Sequence, residues 1–405
     1  MGVIVQKYGG TSVGDSGRIK NVARRVVETK RKGNQVVVVV SAMGGTTDKL
    51  LEMAKQITDT PSERESDMLV STGEQISVAL LAMAIHDLGE DAISLTGAQV
   101  GIMTDDIHTR ARILEISPTK MQEELNKDKI VVVAGFQGIN IKNDITTLGR
   151  GGSDTTAVAL AAVLKADMCD IFTDVDGVYT ADPRIVPNAR KLREISHEEM
   201  LELASLGAKV LHSRSVEFAN KYDVPLCVRS SFNNSEGTYI VKEKDIVEEP
   251  AVRGITTDVN EAKITVKHVP DQPGIAAKVF TKVAEYNINI DMIIQNFSED
   301  GYTDISFTVA RGDIPRITPL LDTLVSGAGA REYTIDKSIA KLSVVGIGMR
   351  SHSGVAAKMF GALAKAGINI STISTSEIKI SCIIPEKDAK KAVQVLHSEF
   401  ELDKE

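Results

Sequence analysis

Cysteine is scarce and scattered: Cys169, Cys227 and Cys382 are the only three, each in an apolar, strand-like run, with no CxxC and no Cys/His cluster. That spacing excludes a disulfide framework and a structural zinc site, and predicts buried, reduced thiols. Long apolar runs are missing too. VVVVV at 36–40 and VALLAMAI at 78–85 fall far short of a bilayer span. The opening MGVIVQ has no basic n-region and no cleavage site, and Gln6 stands where N-myristoylation needs Ser or Thr. Positive charge is in deficit, with 47 Lys+Arg against 55 Asp+Glu and a net charge of −8. Nucleic acid and anionic membrane are therefore not expected as partners, although a few local cations suffice for a small anion. A soluble, cytoplasmic protein is expected.

Familiar catalytic signatures are also absent. No GxxxxGK[ST], HRD or DFG occurs, and GRGGSD and GIGMRS lack the third glycine of GxGxxG. The seven histidines form neither HExxH nor a Ser-His-Asp pattern. TDVDGVYTADPR starts like a calcium loop, but Tyr179 occupies the obligatory glycine position.

What is present has the texture of a globular protein, 42% hydrophobic and 25% charged, and 405 residues predict two or three domains. In the first half, strand-like and helix-like segments alternate. Val3–Lys7, Val36–Val40, Ala92–Leu95, Ile130–Ala134 and Cys169–Thr173 read as strands. Ile19, Val22, Ala23, Val26 and Val27 recur at helical spacing, and TTDKLLEMAKQI reads as a helix capped by Thr46 or Thr47. One long helix is expected over roughly 63–88, and another over Asp154–Lys165. This rhythm predicts an α/β fold with a mainly parallel sheet covered on both faces. Ligands collect at the C-terminal ends of such strands. GG at 9–10, GG at 44–45 and GRGG at 149–152 each follow one.

Near residue 242 the texture changes to KEKDIVEEPAVRG, which reads as a linker. Beyond it, GIAAKVFTKVAEYNINIDMIIQN from 274 aligns without gaps to GVAAKMFGALAKAGINISTISTSE from 354. Each copy reads β-α-β-β-α and needs one more strand to become a ferredoxin-like βαββαβ unit. REYTID supplies it for the first copy, and the spare VRGITTD at 252–258 is expected to supply it for the second, interlocking the two. The expected division is 1–242, a linker at 243–253, 259–336, and 252–258 with 337–405.

KYGGTSVG, residues 7–14, puts a lysine at the end of the first strand, then unshielded backbone amides, then a helix N-terminus. Those are the ingredients of a phosphate cradle; an ordinary glycine turn beside an exposed lysine is the plainer alternative. SAMGGTTDKL and TLGRGGSDTTAVAL repeat the arrangement between strand and helix.

KYGGTSV, SAMGGTT, STGEQIS, TLGRGGSDTTA, FTDVDGVYTADPR and GAKVLH stand here in the order found in aspartokinases, the aspartate-specific branch of the amino acid kinase family, and the second half resembles their paired regulatory ACT domains. The resemblance spans nearly the whole chain. It implies transfer of the γ-phosphoryl group of ATP to the β-carboxylate of L-aspartate, the first step towards lysine, threonine and methionine. On that resemblance, Lys7 neutralises the moving phosphoryl group and Asp154 organises the active centre. Tyr8, Gly9, Gly10, Ser41, Thr173, Asp174, Tyr179, Asp182, Arg184 and Lys209 resemble the ATP-binding set. Thr47, Glu74, Arg150, Gly151, Gly152 and Ser153 resemble the aspartate site, with Glu74 on the ammonium and Arg150 on the α-carboxylate. Mg²⁺ is implied as a cofactor held largely by phosphates and water, so no metal ligand is named. In the repeats, Asp271, Gln295, Asn296, Asn369, Ile370, Thr375 and Ser376 resemble effector positions, with lysine or threonine as effector. Pairing of chains through the ACT sheets is implied, as is an ACT-only subunit made from an internal start. The alternatives are another amino acid kinase, of the acetylglutamate or glutamate type, and an amino acid sensor with an inactive kinase domain.

Overall fold

The structure, a computed structural model, describes residues 2–207, 210–243, 251–286, 288–295 and 301–404. It separates into two compact units, Met1–Tyr179 with Lys191–Glu248, and Thr180–Arg190 with Glu249–Glu405.

The strands of the first unit are β1 (Val3–Tyr8), β2 (Gln35–Val40), β3 (Ala92–Leu95), β4 (Ile102–Thr104), β5 (Ile113–Ile116), β6 (Ile130–Ala134), β7 (Gln137–Ile139), β8 (Ile145–Thr147), β9 (Met168–Thr173), β10 (Glu194–Ser196), β11 (Leu226–Ser230) and β12 (Thr238–Val241). Its helices are α1 (Ser16–Arg31), α2 (Thr46–Ile57), α3 (Glu63–Val70), α4 (Thr72–Asp87), α5 (Thr119–Asn126), α6 (Gly152–Leu164), α7 (His197–Ser205) and α8 (Ser213–Lys221). Eight strands form one sheet in the order β10-β12-β11-β9-β1-β2-β6-β3, while β5-β4-β7-β8 form a smaller one. In the large sheet only β11 and β12 run antiparallel. The valines of β2 explain why this strand lies in the sheet interior, between β1 and β6: Val36 to Val40 are all fully buried. Val36, Val38 and Val40 pack with Ile19, Val22 and Val26 of α1 and Val78 and Leu81 of α4. Tyr8 shares that core, so by strand alternation its neighbour Lys7 faces the opposite side, where α6 packs on β1.

The long helix expected over 63–88 is two helices meeting at Ser71. Ser71 O is taken by Gln137 Nε2 at 2.9 Å, a long-range contact that periodicity does not register. Glu63–Asp87 is the one stretch among the described residues with the length and apolarity of a membrane span, and half of it is buried in the protein.

The second unit has strands β13 (Gly254–Asp258), β14 (Glu261–Pro270), β15 (Ile293–Gln295), β16 (Tyr302–Ala310), β17 (Glu332–Asp336), β18 (Ile339–Val345), β19 (Thr372–Thr375) and β20 (Lys379–Pro385), and helices α9 (Ile275–Glu285), α10 (Ile314–Ala328), α11 (Val355–Lys365) and α12 (Ala389–Glu399). They make two four-stranded antiparallel sheets, β15-β16-β14-β17 and β13-β18-β20-β19. The strand that opens this half of the chain, β13, pairs with β18 from Gly254↔Val345 to Asp258↔Lys341 and completes the second ferredoxin-like sheet. Its partner copy is closed by β17, inside REYTID.

One boundary departs from the expected 1–242 stretch. Thr180–Arg190 belongs to the second unit, because Ala181 and Val186 are buried in its apolar core. Ile255 N donates to Thr180 O at 2.8 Å, and Gln394 Nε2 donates to Ile185 O at 2.8 Å.

Candidate active site

The C-terminal ends of β1 and β2 and the N-termini of α2, α4 and α6 surround a cleft of about 660 Å³. Lys7, Gly9, Gly10, Ser41, Thr47, Glu74, Arg150, Gly151, Gly152, Ser153 and Asp154 all line it. These come from four separate stretches of sequence, 7–10, 41–47, the turn at Glu74, and 150–154.

Lys7 Nζ lies 2.6 Å from Asp154 Oδ1, with each side chain little more than a tenth exposed. The pair joins the end of β1 to the first turn of α6. Asp154 is not the N-cap of that helix; Gly151 is, at φ 69°, and Asp154 stands three residues inside. No side chain caps the helix, and of its first amides Gly152 N donates to Gly149 O at 3.0 Å. Likewise α2 is capped by Gly45 at φ 76° rather than by Thr46 or Thr47, which leaves Thr47 in the cleft wall. A β-carbon on Gly151 would lie 2.2 Å from His212 Cγ, so glycine is required there by space as well as by φ. Burial holds the His212 imidazole below its usual value, with Asp154 opposing the shift.

Glu74, in the first turn of α4, is 3% exposed. Its Oε1 accepts from Ala42 N at 3.0 Å, while Oε2 is buried without a partner among the described residues. Burial pushes this carboxyl up to about 7, the Ala42 N–H opposing the rise. A buried acceptor aimed into a cleft is what a cationic ligand group would satisfy.

Other expected residues lie elsewhere. The ring of Tyr8 is fully buried and stacks on Phe172 at 4.6 Å between centroids, so only its backbone faces anything but core. Thr173 ends β9 and is hydrogen-bonded at 3.1 Å to Asp174, which follows it, and Tyr179 bridges to Lys191; none of the three lines the cleft. Asp182 and Arg184 belong to the second unit and pair at 2.7 Å. Lys209 and Asn296 lie outside the described residues. In the second unit Asp271 precedes α9, Gln295 ends β15, and Asn369, Ile370, Thr375 and Ser376 flank or end β19, all of them exposed or half-buried.

Sequence reasoning missed Asp67, Thr109 and Phe136 in the cleft wall, and His212 and Arg214 behind it. For Asp67 a signal existed. It sits with Val70, Glu74, Val78, Leu81 and Ile85 on one stripe at helical spacing, and an acid on an apolar stripe is out of place unless it works there.

A parallel-sheet domain whose strand ends present a lysine, open amides and amino-acid-sized polar contacts, followed by two interlocked ferredoxin-like units, defines a phosphotransferase with a regulatory region. The models of the amino acid kinase family and of the ACT domain match residues 2–230, and 263–326 and 342–400, respectively. An aspartate kinase of Pseudomonas putida is 54% identical over 404 residues, covering 100% of this chain and 98% of that one. An aspartokinase of Mycolicibacterium smegmatis is 54% identical over 407 residues, covering 99% and 97%. Among solved structures, E. coli aspartokinase III in complex with aspartate and ADP superposes with a TM-score of 0.83 at 28% identity, covering 98% and 99%. The chain belongs to the amino acid kinase family and, within it, to the aspartate kinases carrying two C-terminal ACT domains.

Proposed function

We infer that the protein transfers the γ-phosphoryl group of ATP to the β-carboxylate of L-aspartate, giving ADP and 4-phospho-L-aspartate, and that the reaction runs in the cleft around the Lys7–Asp154 pair. That buried pair, at 2.6 Å where β1 meets α6, is the observation that carries the reading. The attacking carboxylate has a pKa of ~4 and is already ionised near neutral pH, so no general base is needed. The obstacle is repulsion between that anion and the triphosphate. Fixed cations and amides reduce it without reorganising during the reaction. Lys7, held in place by Asp154, neutralises the equatorial oxygens of the moving group. The amide of Gly10 is assigned to the same anion, while that of Gly9 donates to Phe172 O at 3.4 Å and contributes only the close approach of its backbone. As the new carboxyl oxygen–phosphorus bond forms, the bond to the β,γ-bridging oxygen breaks and ADP leaves with its electron pair.

Glu74 takes the substrate ammonium, which supplies the partner its Oε2 lacks. Arg150, exposed at the cleft rim, takes the α-carboxylate bidentately, with Thr47, the amides of Gly151 and Ser153, and the side-chain-free backbone of Gly152 completing the pocket. Ser41, Thr173, Asp174 and Tyr179 are assigned to the nucleotide, with Tyr8 contributing backbone only. Asp182, Arg184 and Lys209 are kept in that set on resemblance alone. Mg²⁺ is assigned as an ion carried in by the nucleotide and held largely by its phosphates and by water, as small hard cations are. When bound it supplies further neutralisation of the triphosphate.

The two ferredoxin-like units are assigned to amino acid feedback, with lysine or threonine at Asp271, Gln295, Asn369, Ile370, Thr375 and Ser376. Ile293 on β15 and Ile373 on β19 are 54% and 46% exposed on edge strands, which favours a homo-oligomer formed through these sheets. We place the enzyme in the cytoplasm. The test is hydroxamate formation from ATP, hydroxylamine and a panel of aspartate, glutamate and N-acetylglutamate, with and without lysine and threonine. Turnover confined to aspartate is expected. Turnover of glutamate alone would overturn the substrate assignment, and indifference to both effectors would overturn the regulatory one.

A further inference from the structure

Asp67, on α3, is fully buried and lines the cleft, yet its carboxylate has no capacity left for a ligand. Thr109 N donates to both oxygens, at 3.1 and 3.0 Å. Thr147 donates through N at 3.1 Å and through Oγ1 at 2.6 Å, and His108 Nδ1 lies 2.9 Å from Oδ2. Thr109 is in the loop before β5, and Thr147 ends β8. Arg214, on α8, grips the same two segments through their carbonyls. Its Nη1 donates to Leu148 O at 3.0 Å and its Nη2 to Ala111 O at 3.1 Å. Between the two charges, Ala111 N donates to Thr147 O at 2.8 Å.

A carboxyl group at this depth is tolerated because so many donors converge on it. The junction it holds is the foot of the GRGG loop. Above Leu148 the chain passes through Gly149 at φ 74° and Gly151 at φ 69°, with Arg150 between them. Gly149 follows directly on this junction and packs on it, a β-carbon there lying 3.0 Å from Thr109 O, so the pose of the loop depends on what holds its foot.

We propose that Asp67 and Arg214 are positioning residues for the amino acid substrate, an anionic and a cationic clamp that together fix where Arg150 meets the α-carboxylate. The proposal rests on the assignment of Arg150 to that carboxylate. Neither clamp touches substrate; each acts through the junction of Thr109–Ala111 with Thr147–Leu148.

The test is Asp67→Asn, which keeps the shape but turns an amide N–H₂ towards the N–H groups of Thr109 or Thr147. Aspartate KM, ADP affinity by calorimetry and thermal stability are read together with Arg214→Lys and Arg150→Ala. Asp67→Asn and Arg214→Lys are each expected to raise aspartate KM by about tenfold or more, a small misplacement of a binding group being enough for that. ADP affinity should stay within about twofold, and either change combined with Arg150→Ala should add little to Arg150→Ala alone. Parallel loss of aspartate and ADP affinity would mean general loosening and overturn the proposal. If Asp67→Asn does not fold, Arg214→Lys carries the same expectation and the same refutation. Should Arg150→Ala raise aspartate KM while both clamp variants leave it unchanged, this inference alone fails. Should Arg150→Ala leave it unchanged, the substrate-site reading fails and takes the inference with it.

Discussion

Lys7 and Glu74 are both charged residues inside a largely apolar domain, and what each does follows from its surroundings. Lys7→Ala removes a cation aimed at developing charge, together with its buried stem and the partner of Asp154, at one position on a strand whose other residues are unchanged. Turnover is expected to fall by about 10²–10³-fold, with the circular dichroism spectrum unchanged. A variant retaining near-normal turnover would return KYGGTSVG to the status of a glycine turn. Glu74 gives a pH test. Its carboxyl titrates at about 7 in the ligand-free protein, above the ordinary 4.5, because it is buried. The fold therefore favours the protonated form. The ligand-free protein should be most stable, as far as this group is concerned, below about 4.5. It should lose on the order of 3 kcal/mol as pH rises to about 7, and nothing further beyond. The substrate ammonium needs the ionised form, so aspartate KM is expected to rise as pH falls below 7. Glu74→Gln should abolish that rise while raising KM at every pH. A wild-type KM flat from pH 6 to 8 would contradict the assignment. The residue type was readable in STGEQIS; the shifted titration was not, since it depends on how Ala42 and α4 close over the carboxyl.

At the scale of elements, the first turn of α6 is the most constrained piece of the site. Gly151→Ala meets a positive φ and the His212 ring at once. It is expected to raise aspartate KM more than tenfold while costing stability by about 1–3 kcal/mol, both measurable on the purified variant. The strands were largely legible, because runs such as VVVVV are too apolar and too short to be anything but buried strand. The break at Ser71 was not, because it depends on Gln137, far along the chain. In the second unit Lys341, 2% exposed on β18, pairs with Asp291, and Glu261 Oε1 lies 3.8 Å away. Lys341→Met leaves two carboxylates without their cation. A loss on the order of 2–3 kcal/mol is expected in the denaturant midpoint of that unit, less than for a fully buried pair because Asp291 is 36% exposed.

For the molecule as a whole, the segment Thr180–Arg190 matters most, because it lies between stretches of the first unit and is folded into the second. A chain ending after residue 248 loses the core that covers Ala181 and Val186. Trypsin is expected to cut within that segment at least about tenfold faster than in the full chain. Equal rates would mean the segment is held by the first unit instead. The sequence by itself determined the alternation of strands and helices, the duplicated βαββα pattern and the chemical types at the strand ends. These are local properties, carried by period, glycine placement and motif order. Only the tertiary structure decided that Tyr8 is core, that Asp182 and Arg184 sit with the regulatory unit, that Glu74 titrates near 7, and that Asp67 and Arg214 hold the foot of the GRGG loop. The reason is common to all four: burial and hydrogen-bond partners come from residues distant in sequence. KYGGTSVG names a lysine and three glycines, but Asp154, nearly 150 residues on, gives the lysine its position.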